Sequence, residues 1–115
     1  MTIEEAARLE QKNPDLSQVS GFDVATYVGD RALAQGQPLA ASFVLHRGAL
    51  GVERYGAVLS PHNGRDATVD LAQELADAAC YAEQLRMETG EGPGPDPLLY
   101  LLECLLRDRG FEPSG

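Results

Sequence analysis

Apolar residues recur along this chain at intervals of three and four, and nowhere do they alternate with period two for long enough to build a sheet. The pattern predicts an all-α protein of four or five helices. Thr2-Ile3-Glu4-Glu5 has capping-box spacing and opens a short helix that Asn13-Pro14 stops. Ser20-Gly21-Phe22-Asp23 starts a second, with Phe22, Tyr27, Val28 and Leu33 at helical intervals up to about Gly36. Past Pro38 a third carries Leu39, Phe43, Val44, Leu45, Leu50 and Val52. Gly48 and Gly51 lie inside it, each weakening the helix while allowing another backbone to come close.

Residues 55–66 are turn-rich. A long helix free of Gly and Pro is then expected from about 66 to 88, with Asp66 as its N-cap. Gly90-Glu91-Gly92-Pro93-Gly94-Pro95-Asp96-Pro97 reads as a linker that no helix can cross, because Pro lacks the donor and Gly loses too much backbone freedom. A leucine-rich last helix follows over about 97–109, closed by Gly110. Leu98, Leu99, Tyr100, Leu101, Leu102, Leu105 and Leu106 cover more than half its circumference. That width suits either the centre of a small bundle or a subunit interface, so a homo-oligomer through the leucine-rich helices is one expectation.

With 115 residues the chain has the length of a single domain, 1–115. Eighteen acids against nine bases leave a formal charge of −9, which argues against a general nucleic-acid binder. It leaves room for a small phosphorylated ligand held through a metal ion. The N-terminus lacks the basic and apolar regions of a signal peptide, and the longest apolar run is far too short to span a membrane. A cytoplasmic protein is expected. Cys80 and Cys104 show no metal spacing and read as buried thiols, one bridge between them being the alternative.

The chemistry concentrates on the long helix. At 100° per residue Asp70, Glu74, Asp77 and Tyr81 share one face, beside an apolar stripe of Leu71, Leu75, Ala78, Ala82 and Leu85. Such a row is ordinarily a solvated face; next to a buried stripe it calls for a compensating cation, either arginines or a metal. Mg²⁺ suits it, preferring oxygen ligands and bridging to substrate phosphates, with Mn²⁺ as a substitute. If the third and fourth helices run antiparallel, Glu53 faces the early turns of the acidic one, so the metal-ligand candidates are Glu53, Asp70, Glu74 and Asp77. His46, on an apolar helix, reads as a packed or hydrogen-bonded core residue; His62 lies in the loop near the proposed site, where it could touch a phosphate or base.

Arg54-Tyr55-Gly56, Leu59, Asn63-Gly64-Arg65-Asp66 and Asp70-x-x-x-Glu74-x-x-Asp77 with Tyr81 together resemble small actinobacterial and phage relatives of the MazG-type all-α nucleoside triphosphate pyrophosphohydrolases. The resemblance covers roughly residues 39–87. Glu74-x-x-Asp77 matches the second half of that family's acidic pattern and Glu53 one acid of the first; Leu50 stands where the other acid would be. The resemblance implies hydrolysis of a (d)NTP to monophosphate and pyrophosphate with Mg²⁺, usually in an oligomer. Glu53, Glu74 and Arg65 would then be catalytic, and Arg54, Tyr55, His62, Asn63, Arg65 and Tyr81 would contact the nucleotide. A non-catalytic nucleotide-binding or protein-interaction module of the same fold is the alternative. Pairing of the arginines with the acidic stripe is the bland one, and Asn63-Gly64 makes a tight turn either way.

Overall fold

A computed structural model describes residues 1–18 and 21–113. Among them the protein is all-α, with α1 (Ile3–Arg8), α2 (Val24–Ala34), α3 (Pro38–Tyr55), α4 (Ala67–Thr89) and α5 (Asp96–Asp108), and a single 3-10 turn at Leu16–Gln18. No described helix is long and apolar enough to cross a membrane. The expected helix start at Ser20 lies outside the described residues; the observed cap is Asp23. Contacts divide the chain into two compact units. One comprises Met1–Gln11 with Asp66–Gly115, and the other, Lys12–Arg65, is inserted between its two parts.

In the first unit Thr2 and Glu5 form the anticipated capping box, the Thr2 hydroxyl accepting from the Glu5 N–H and the Glu5 carboxylate accepting from the Thr2 N–H. The helix stops at Arg8, earlier than Asn13-Pro14 suggests, because Gln73 on α4 takes over its end: Gln73 Nε2 donates to the Ala6 and Leu9 carbonyls, both at 2.9 Å. Asp66 caps α4 by accepting from the Val69 N–H at 3.2 Å. Pro97 falls in the first turn of α5, where its missing N–H costs no helical bond. The far end of α5 closes with the Gly110 and Phe111 N–H groups returning to the Arg107 and Leu106 carbonyls, a Schellman arrangement that needs the left-handed φ of 72° that Gly110 adopts. From there Glu112 pairs with the chain's start, its carbonyl accepting from the Ile3 N–H at 2.9 Å.

The buried stripe of α4 is Val69, Ala72 and Ala79, with Val69 fully enclosed. This corrects the expected packing face. Leu71 and Leu85 are half-exposed, because the smaller side chains let α1 and α5 lie closer than leucines would. Cys80 is exposed and Cys104 half-buried, both as free thiols, so the expectation of two buried cysteines fails for the first. On α5 the seam is Leu98, Leu102, Leu105 and Leu106, while Leu99, Tyr100 and Leu101 stand out in solvent.

The inserted unit is built on an α2–α3 hairpin packed through small residues. Ala32 and Ala41 are buried, and a Cβ on Gly48 would stand 2.6 Å from that of Ala25. A Cβ on Gly29 would meet Leu45 at 3.0 Å. The two helices thus approach closely, with Ala25 against Gly48 and Leu45 against Gly29. Most of the large apolar residues expected along α3 stay outside this core: Leu39 is 86% exposed, and Phe43, Leu50 and Val52 are exposed as well, while Val44 is half-buried and Leu45 packs on Gly29. His46 is likewise exposed, its Nδ1 2.8 Å from the Ser42 carbonyl, so it is hydrogen-bonded without being a core residue. The two crossings into this unit are each tied on their own side. Gln11 brackets Asp66, donating to its carbonyl and accepting from its N–H, and Arg65 Nη1 donates to the Lys12 carbonyl at 2.6 Å.

The α2 cap has a pH signature. The Asp23 carboxylate accepts from the Thr26 N–H and then its hydroxyl, which holds its pKa below the ordinary aspartate value. A depressed folded-state pKa stabilises above the unfolded value and loses that contribution as pH falls through the folded one. Thermal melts between about pH 5 and pH 2 should therefore fall less steeply for Asp23→Asn, which keeps an uncharged cap.

Candidate functional site

The acidic residues of α4 do not share one environment. Asp70 is half-buried and accepts from Gln11 Nε2 at 2.7 Å, in the same cluster that brackets Asp66. It is committed to holding the start of the helix. Glu74 and Asp77 are exposed and make neither a hydrogen bond nor an ion pair with any described residue. No guanidinium among the described residues neutralises them. Asp77 stands at the rim of a cavity of about 490 Å³ walled by Ala6, Ala72, Ala76, Leu102 and Leu106. Tyr81, one turn on, is 68% exposed and continues the row. The face lies away from the buried stripe of the helix, so these carboxylates point outward rather than flanking the core.

The other candidates belong to the inserted unit. Glu53 is exposed on the last turns of α3, also without a hydrogen bond or ion pair to a described residue. Arg54 extends over the neighbouring Tyr55 ring, 5.9 Å from its centroid. Asn63 is buried and used structurally: its Oδ1 accepts from the Arg65 N–H at 3.1 Å, and its carbonyl accepts from the Asp15 N–H at 2.9 Å. It supports the turn. His62 is exposed with φ of 59°, a left-handed conformation that fits the tight turn beside Gly64. Tyr55 and Arg65 are brought together, lining one groove of about 460 Å³.

Sequence reasoning missed the roles of two residues. Gln11 anchors Asp66 and Asp70, and Arg47 lines the groove with Tyr55 and Arg65. Neither belongs to a motif; only the fold gives Gln11 its partners and sets Arg47 in the groove.

The donor set on α4 fits Mg²⁺ in kind: hard carboxylate oxygens, uncommitted, at i and i+3 on one face. Among the described residues no three His, Cys, Asp or Glu side chains are grouped so as to hold a metal ion. Mg²⁺ commonly needs no such cage, being held by one or two carboxylates together with substrate phosphates. No family model, curated protein or solved structure matches this chain.

Proposed function

We propose that this protein binds a (d)NTP with Mg²⁺ along the acidic face of α4 and hydrolyses it to monophosphate and pyrophosphate. The observation that carries the reading is that Glu74 and Asp77 stand one turn apart with no partner among the described residues. Two like charges at that spacing repel, so a chain that leaves both bare gains from an incoming cation. The resemblance to MazG-type pyrophosphohydrolases supports the same choice of residues. Glu74 and Asp77 would hold the metal, which when bound offsets charge on phosphate oxygens and lowers the pKa of a coordinated water. Tyr81, on the same face, offers an exposed ring on which a base can stack. Asp70 positions the start of α4 through Gln11 and is not needed as a ligand.

A second reading, a nucleotide-binding module without turnover, is favoured by one observation: three carboxylates are not gathered in the described residues. One measurement separates the two. The full chain is incubated with Mg²⁺ and a panel of nucleoside triphosphates, and pyrophosphate is assayed beside the thermal midpoint. Release of pyrophosphate supports hydrolysis. A raised midpoint without product replaces it by the binding module, since a ligand that prefers the native state must stabilise it. Neither effect, with any nucleotide, overturns both.

A further inference from the structure

Helix α3 carries a glycine that its own unit does not require. Gly51 is helical, without the positive φ that would call for glycine, and a Cβ there would meet nothing within 4 Å. Glycine in a helix interior costs about 1 kcal/mol relative to alanine. Gly48, one turn earlier, repays that cost by admitting Ala25; Gly51 does not. What Gly51 does is line the groove that also takes in Tyr55, Val28, Phe43, Val44 and Leu59. From Phe43 to Tyr55 this furrow follows α3 for about 18 Å at the helical rise per residue. Phe43 is 71% exposed at one end. The charged residues lining it are Arg47 and Arg65, both basic, in a chain with twice as many acids as bases. Arg47 makes no hydrogen bond or ion pair with any described residue.

A long apolar furrow lined in part by glycine, with cations along it, has the form that receives an amphipathic helix. Its length equals about three helical turns. Its positive edge selects acids beside the apolar face of the occupant, because a guanidinium pairs with carboxylates bidentately. We propose that the furrow of the inserted unit docks an acidic amphipathic helix of a partner protein, its apolar face against Gly51 and a carboxylate on Arg47. The proposal goes beyond the reading of α4 and shares no residue with it.

The test uses the full chain and a displayed library of helical peptides of about 14 residues, apolar at i, i+3, i+4 and i+7 and randomised elsewhere. Enriched peptides should be rich in Asp and Glu. Their binding should weaken about tenfold or more with Gly51→Leu and with Arg47→Glu, and stay unchanged with Glu74→Gln. Gly51→Leu fills open space, so its melt should match or exceed that of the parent, which separates lost docking from lost folding. No enrichment, enrichment of neutral or basic peptides, or indifference to Gly51→Leu overturns the proposal. So does displacement of the peptide by ATP, which would make the furrow a nucleotide subsite. A dimer that Gly51→Leu converts to monomer overturns it too, the occupant then being a second copy.

Discussion

Glu74→Gln should abolish pyrophosphate release while leaving α4 intact. The side chain is exposed and without a partner among the described residues, so the amide replaces it at equal size with nothing to unpair. Removing one charge from the row relieves a repulsion of a few tenths of a kcal/mol, and the melting temperature should hold or rise slightly. A neutral amide is a far poorer ligand for a hard divalent cation. Replacing even an outer-shell partner of a metal costs about 10–100-fold, so loss of a direct ligand should exceed about a hundredfold in kcat/KM. Asp70→Asn supplies the contrast. Its carboxylate is engaged by Gln11, so the expected loss is stability at the start of α4, with turnover largely kept. Wild-type turnover by Glu74→Gln at saturating Mg²⁺ would remove α4 as the reacting face.

Gly48→Val should be the most destabilising single change in the inserted unit. The new Cβ would lie 2.6 Å from the Ala25 Cβ, well inside the roughly 3.5–4.0 Å at which carbon atoms are in favourable contact. Neither atom is the end of a flexible side chain, so the helices themselves must separate. Leu45 lies over Gly29 on the same hairpin, so close that an added Cβ there would come within 3.0 Å of it, and separating the helices would loosen that packing as well. Overpacking of this kind costs about 1–3 kcal/mol, and valine's poor helix propensity recovers little of the glycine's own cost. Gly51→Ala, three residues along the same helix, meets nothing and should stabilise by up to about 1 kcal/mol. Urea midpoints of the two variants should therefore move in opposite directions, and a wild-type midpoint for Gly48→Val would mean that α2 and α3 do not meet there.

The helices were legible in the chain because local chemistry decides them. Thr2 with Glu5, Asp66, Pro97 and Gly110 each act within a few residues, and each acts as expected. Which face of each helix packs was much less legible. On α4 the leucines outline an obvious stripe, yet Val69, Ala72 and Ala79 take the interior, because close approach of helices rewards small side chains and the pattern of large ones does not report it. The same preference leaves Leu39 and Phe43 outside while Ala41 is buried. At the candidate site the charge row on α4 was readable from spacing, whereas its division into an engaged Asp70 and a bare Glu74 and Asp77 depends on Gln11, 59 residues from Asp70.

The inserted arrangement of the chain sets an order of assembly during synthesis. Helix α1 leaves the ribosome before α2–α5, but its six residues are far too few to persist alone, and the Gln73 amide that holds its end lies 64 and 67 residues from the carbonyls it binds. At about 5–20 residues per second several seconds pass before that partner is made. The α2–α3 hairpin, whose contacts are short in sequence, emerges complete in the meantime and can close at once. The folded unit holds its ends, Lys12 and Arg65, together, which sets the adjoining Gln11 beside Asp66. A splint of this kind has a testable signature: a change that slows folding of the inserted unit should delay the capture of α1 by a helix in which that change lies nowhere.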